Sequence, residues 1–383
     1  MMNITTTTHA FINSTATTTV AASVAADTYT DVQMVFIYVA MVLLSAFTVI
    51  GNIAVFVAYF RTPDLQNSTN YFILSLATAD VVIGLISVNF YTVYLAYGYW
   101  PLNEVLCDFW LCADYWCCQA SVLNLVVISV DRLFSIKYPV AYRSRRSDAI
   151  VKKVIVVIWI FAFLLWVPWI ISYQFIQGER TVPVDSCYIQ FLYESWYITI
   201  ITACFGYYGP ILLISIVYIN IYSLLLQRKR KVSAITGAGS IRDKSYNSVT
   251  AVTDLKTEQS VTECNTSNFA ATKNTENDTT VSKGYSVRSK NGSVVNQKRR
   301  GLSDHERAAT LLVLIILAYA ITWLPYDLFA VIAPFCDTCI SADWWHFGYI
   351  FCYVNSLINP ICYAFGNKKF KRAFKEILCC RKT

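Results

Sequence analysis

Seven apolar runs of membrane-spanning length dominate this chain, at about 34–60, 71–95, 106–137, 153–175, 196–226, 308–334 and 344–366. In hydrocarbon every backbone N–H and C=O must be paired within the protein, so such runs fold as helices. Few charges interrupt them away from their ends: Asp80, Asp114, Asp131, Arg132 and Asp327. A soluble helical core would place charged faces opposite apolar ones. Here charged residues make up 14% of the chain, against roughly 25% in soluble domains. The fold class is therefore all-α, a seven-transmembrane helix bundle.

Lys and Arg set the orientation. Of 31, only Arg180 falls in a segment that is extracellular if the N-terminus lies outside. The positive-inside rule places the N-terminus out and the C-terminus in. The expected organisation follows: 1–33 an extracellular glycosylated tail, 34–226 the first five spans, and 227–307 a disordered third cytoplasmic loop. Spans six and seven occupy 308–366, and 367–383 form an amphipathic helix and tail. The loop assignment rests on its Ser, Thr and Asn content and its lack of apolar periodicity. Residues 1–31 lack Lys and Arg, so the first span is expected to act as signal anchor. Asn3 and Asn13 open glycosylation sequons on the outer side. The net charge of +7 reflects inner segments, and nucleic-acid binding is excluded for a chain built this way.

The thirteen cysteines form no metal-ligand pattern. Cys107 and Cys187 both fall outside, where disulfides persist, and a bridge between them would pin the second outer loop over the third helix. Cys336 and Cys339 are spaced to close a small ring. Pro210 in the fifth span frees a backbone carbonyl. Residues 367–378, NKKFKRAFKEIL, are basic on one side and apolar at Phe370, Phe374 and Ile377, which suits a helix on the inner membrane surface. Cys379 and Cys380 follow as candidate palmitoylation sites, so membrane lipid is an expected partner.

The stretch 107–139 joins two charged sites. Asp114 and Asp131 are 17 residues apart, about 25 Å along a helix. An intramembrane carboxylate is expensive and marks a functional site. Asp80 raises the same question, and Ser121, Asn355 and Asn359 are candidate partners for a water or sodium pocket.

The order of seven spans, DR at 131–132, WLPY at 323–326 and NPICY at 359–363 resembles the rhodopsin-like (class A) G-protein-coupled receptors. NYFILSLATAD at 70–80, ADYWCCQASVLNLVVISVDR at 113–132, RTVPVDSCYIQFL at 180–192, CDTC at 336–339 and GYIFCYVNSLINPICYA at 348–364 resemble the muscarinic acetylcholine receptors, as a divergent, invertebrate-type member. That resemblance implies a plasma-membrane receptor, not an enzyme, that couples acetylcholine binding to a heterotrimeric G protein. Asp114 would pair with the cationic amine. A quaternary ammonium has no N–H to donate, so aromatic faces must complete its site. Trp323 with Tyr326, and Tyr349 with Tyr353, share helical faces by spacing. With Tyr115 and Trp166 they would line a cage, joined by Cys118, Gln119, Asp327 and Cys352, while Thr199 and Thr202 add hydroxyls from the fifth span. Asp131, Arg132, Tyr218, Glu306, Asn359, Pro360 and Tyr363 would form the switch and G-protein face.

The chain departs from the muscarinic pattern at several of these positions. Asp327 stands where Asn is expected, Cys118 and Gln119 where Ser and Asn are expected, and Gly206 where Ala is expected. An ionised Asp offers no donor, whereas a protonated one would. Two carboxylates would also suit a dicationic ligand such as histamine, so another biogenic amine, such as histamine, octopamine or dopamine, is the alternative. Thr199 and Thr202 replace the serines of catechol readers. Leu133 replaces the Tyr after Asp131-Arg132, His305-Glu306 shifts the expected acid, and Tyr319 replaces a Phe. A misaligned Arg132–Glu306 clasp implies elevated ligand-free signalling. Ala308, Ala309 and Leu312 lean toward the Gq-coupled subset. A retinal-binding light sensor is excluded because no Lys lies between Trp344 and Gly366. A transporter would show inverted repeats, and none is visible.

Overall fold

The computed structural model describes residues 31–254, 309–310, 313–336 and 339–379. Seven long helices carry the chain: α1 (Asp31–Arg61), α2 (Asn70–Tyr97), α3 (Glu104–Lys137), α4 (Asp148–Gln177), α5 (Trp196–Lys231), α6 (Val313–Phe335) and α7 (Ala342–Gly366). A short amphipathic helix, α8 (Lys368–Leu378), follows. Among the described residues there is no strand. The first six are long and apolar enough to cross a membrane. The 25-residue α7 is long enough, and its buried Asn355, Ser356 and Asn359 make it the more polar span. The chain is a seven-transmembrane bundle.

Capping residues punctuate the spans where their chemistry demands. Asn103 accepts the Leu106 N–H at 2.9 Å and starts α3. Ser147 accepts from Ile150 and starts α4. Gly178 ends α4 at φ +90, a left-handed conformation that a Cβ disfavours. In α5 the register widens to a π turn at Cys204–Tyr208, just before Pro210.

Compact unit 1 comprises 1–221 and 307–383. Within it α3 is the central helix, with 72% of its most apolar window buried, against 22% for α1 and 28% for α4. The outward faces of α1 and α4, including Phe36, Phe47, Val157 and Leu164, are exposed apolar surface that suits lipid. Polar side chains tie neighbouring helices together. Asn52 donates to the Ser356 carbonyl at 3.1 Å, joining α1 to α7. Beside it Gly51 brings the α1 backbone against Pro360, whose Cγ lies 3.2 Å from the position a Cβ would take. Trp116 donates to the Trp159 carbonyl, and Trp159 donates to Ser75, linking α3, α4 and α2.

Both expected disulfides are present, Cys107–Cys187 and Cys336–Cys339. Arg180, the lone outer cation, grips both oxygens of Asp108 at 2.9 and 3.1 Å, and Asp108 directly follows Cys107. The second outer loop is thus fastened to α3 twice. At the other end Phe370 of α8 is buried against Tyr363, so part of the apolar face expected to meet lipid packs on the bundle instead.

Unit 2 spans 222–306. It is helical as far as Asp254, so the near end of the polar insertion extends the preceding helix. No proline interrupts 211–254, so nothing in the local sequence forces the helix to stop. The expected loop beyond Asp254, and the sequons at Asn3 and Asn13, lie outside the described residues.

Candidate functional site

The outer halves of α3, α6 and α7 converge on Asp114. This carboxylate is buried, and Tyr353 of α7 donates to its Oδ2 at 3.2 Å. The Cys118 thiol lies 3.9 Å from the other oxygen. Above it three tyrosine hydroxyls close together. Tyr115 is hydrogen-bonded to Tyr326, and to Tyr349 at 3.2 Å. The Tyr326 and Tyr349 rings meet edge to face with centroids 4.9 Å apart. A narrow chamber of about 10 Å³ is lined by Asp114, Tyr115, Cys118, Trp323, Tyr326, Tyr349, Cys352 and Tyr353. One anion thus sits within a shell of aromatic faces.

Gln119, Trp166 and Asp327 line a second, adjoining chamber of about 30 Å³, with Gly206 and Val122. Tyr115, Cys118, Trp323 and Tyr326 border both spaces. Trp166 packs on Tyr115 at 4.7 Å and donates its indole N–H to Gln119 Oε1 at 3.1 Å. Thr199 and Thr202 line neither chamber. Their hydroxyls donate to backbone carbonyls instead, Thr199 to Phe191 and Thr202 to Ile198 and Thr199. Sequence spacing placed both on one helical face, but the backbone takes up their donors.

Deeper in the bundle Asp80 accepts from Ser121 at 3.1 Å and from the Asn359 amide at 2.8 Å. Asn355 is buried in the same bundle, and its Oδ1 and that of Asn359 have no hydrogen-bond partner.

At the inner face the Asp131 carboxylate is held from the loop between α3 and α4. Tyr142 donates to Asp131 Oδ1 at 2.8 Å, and an Arg146 guanidinium nitrogen lies 2.9 Å from the same oxygen. Arg146 also donates to Thr69 at the start of α2. Burial first, then the bond to Asp131, push the Tyr142 hydroxyl up to about 12, so it remains a donor at neutral pH. Sequence reading missed Tyr142 and Arg146. The signal was a tyrosine and a basic run just beyond Pro139, which span periodicity does not interpret. Glu306, and with it the expected clasp to Arg132, lies outside the described residues, as does Cys380. Tyr218 falls on α5, and Tyr363 is buried beside Phe370.

Tyr91 of α2 was also missed. Its ring stacks on Tyr349 at 5.0 Å, and its hydroxyl meets His346 Nδ1 at 2.8 Å. An outer vestibule of about 550 Å³ opens there, lined by Tyr94, Tyr188, Tyr193, Trp345 and their neighbours.

The sequence profile described as 7 transmembrane receptor (rhodopsin family) matches residues 51–363, from α1 to the end of α7. The chain is 32% identical to muscarinic acetylcholine receptor M4 of Gallus gallus, across 92% of this chain and 91% of the relative. It is also 32% identical to muscarinic acetylcholine receptor M1 of Homo sapiens, across 91% and 90% of the two chains. For muscarinic acetylcholine receptor M2 of Gallus gallus the identity is again 32%, across 92% and 94%. Such a protein is a signalling receptor rather than an enzyme, crossing the plasma membrane several times with its N-terminus outside. With its bundle, its buried Asp114 and these relatives together, the chain belongs to the rhodopsin family of seven-transmembrane receptors and is similar within it to the muscarinic acetylcholine receptors.

Proposed function

We propose that this receptor is gated by acetylcholine and activates a heterotrimeric G protein, with a lean toward Gq. The observation that carries the reading is the single carboxylate of Asp114 inside the shell of Tyr115, Trp323, Tyr326, Tyr349 and Tyr353. A quaternary ammonium needs an anion for its charge and aromatic faces for its methyl groups. Tyr353 orients the carboxylate by donating to it, and the Tyr115–Tyr326–Tyr349 hydroxyl cluster closes over the chamber. Ligand binding biases the bundle only through its differential affinity for two states. Trp323 touches the chamber, and Tyr319 one turn below it bonds α5, so ligand contact and the α5–α6 interface share a helix.

Asp80, Ser121, Asn355 and Asn359 offer oxygen donors that fit a sodium ion. When bound, that ion would neutralise a buried charge on α2. The Cys379 side chain is exposed and free for acylation at the end of α8. The second reading, another biogenic amine such as histamine, is favoured by one observation, the buried carboxylate of Asp327.

The test is G-protein activation in receptor-expressing cells, dosed with acetylcholine, histamine, octopamine and dopamine. An acetylcholine response that disappears in Asp114→Asn at equal surface expression upholds the proposal. Silence to acetylcholine with an Asp114-dependent response to another amine replaces it.

A further inference from the structure

The outer vestibule is lined by one group able to change its charge near neutral pH. His346, in the second turn of α7, is half-buried there and is the only histidine among the described residues. An imidazole ordinarily titrates at roughly 6.5, within reach of a mildly acidic outer medium.

Its contacts lead to the cation site. The Tyr91 hydroxyl meets His346 Nδ1 at 2.8 Å. The Tyr91 ring stacks on Tyr349 at 5.0 Å and meets Tyr353 edge to face at 5.8 Å. Tyr349 is hydrogen-bonded to Tyr115 above Asp114, and Tyr353 donates to Asp114 itself. One ring therefore links the imidazole to both of these tyrosines. The vestibule also shares Tyr326 and Tyr349 as walls with the Asp114 chamber, so a ligand crossing it to Asp114 passes His346.

Protonation changes that arrangement in two ways. In the neutral ring Nδ1 can accept the Tyr91 proton, whereas in the charged ring both nitrogens only donate. Tyr91 must then accept, and its own proton must leave the bond. The ring also gains a positive charge beside the path of a cationic ligand, and like charges repel.

The surroundings do little to cancel that charge. From α2 the vestibule receives Tyr91, Tyr94 and Tyr97, from the segment between α4 and α5 Tyr188 and Tyr193, from α6 Tyr326 and from α7 Tyr349. Phenols ordinarily titrate near pH 10 and stay neutral in mild acid, at about pH 5.5. The side chains from α1, Met34 and Ile37, carry no charge. The one anion is Asp343, a turn before His346, and it is exposed, so water and salt screen it.

We propose that His346 makes this receptor sense extracellular acid, its protonation weakening the response to cationic amines. The proposal rests on Asp114 drawing a cation through the vestibule, whichever amine that is.

Intact cells expressing the full chain are dosed at about pH 7.5 and about pH 5.5, either side of the imidazole value, with surface receptor counted. The agonists are carbamoylcholine, which carries a permanent charge, and octopamine and dopamine, whose aliphatic amines stay charged throughout. Histamine is left out because its own imidazole titrates. The expected result is a half-maximal concentration about fivefold higher in acid, as one added like charge near the path of entry implies. In His346→Gln, whose amide can accept from Tyr91 but cannot ionise, the shift falls below about twofold. In His346→Arg, which is always charged, potency is already low at the higher pH and acid does not change it. An acid shift that survives in His346→Gln belongs to another group, Asp114 foremost, and overturns the proposal. So does equal potency of the unaltered receptor at the two pH values. If carbamoylcholine is silent while octopamine or dopamine acts, the acetylcholine reading falls and His346 is judged on the amine that acts. Silence to all three at the higher pH overturns both.

Discussion

The Tyr319 hydroxyl of α6 donates to the Gly206 carbonyl of α5 at 3.0 Å. In a regular helix that carbonyl would bond the N–H four residues on, but residue 210 is proline and has none. Tyr207 returns the contact by donating to the Ala320 carbonyl at 2.7 Å. Two reciprocal bonds thus join α5 to α6, the first at the Gly206 that lines the Asp327 chamber.

Removing that hydroxyl isolates the first bond. Tyr319→Phe keeps the ring contacts with Tyr207 and Trp323 but takes the hydroxyl donor from the half-buried Gly206 carbonyl. The expected cost is about 1–3 kcal/mol. Thermal inactivation of the detergent-solubilised receptor should shift down by a few degrees, roughly as such a loss implies. An unchanged inactivation temperature would mean the bond contributes nothing.

Asp114 and Tyr353 should separate charge from orientation. Asp114→Asn removes the only carboxylate lining the aromatic chamber, and choline-ester potency should fall about a hundredfold or more. Tyr353→Phe loses one donor at 3.2 Å from that carboxylate, and potency should fall about tenfold. Concentration–response curves at matched expression give both numbers, and a Tyr353→Phe effect as large as that of Asp114→Asn would contradict this ordering.

Gly206→Ala probes space rather than charge. The added methyl meets Gln119 Oε1 at 3.3 Å and Trp166 at 3.4 Å, tighter than ordinary packing, so the amide must shift. Ligands that reach the Asp327 chamber should lose about three- to tenfold in potency, whereas tetramethylammonium, which has no tail, should not. Equal losses for both would point to a general distortion of α5.

At the inner face Arg146 competes for an oxygen of Asp131, whose next neighbour in sequence is Arg132. In Arg146→Ala the buried carboxylate keeps only the Tyr142 bond from the loop. Its charge then turns to Arg132, holding it away from the G-protein face. Ligand-free G-protein activation, measured against mock membranes, should therefore drop in Arg146→Ala. A rise would show that Arg146 restrains the receptor instead.

Seven apolar runs, a Lys and Arg count lopsided across them, and spacings such as Tyr349–Tyr353 were enough to read the bundle, its orientation and most of the Asp114 shell. They are legible because a bilayer enforces helices and a helix enforces a period. Pro210, too, announced a free carbonyl in advance, but only the packing of α6 against α5 decided that Tyr319 would take it. Thr199 and Thr202 show the converse, since their hydroxyls lay on a shared face yet went to the backbone. The division into two chambers, the bond between His346 and Tyr91, and the hold of Arg146 on Asp131 were decided by tertiary structure alone. Each depends on which atoms from separate helices or loops reach hydrogen-bonding distance of about 3 Å, and no periodicity within one helix encodes that.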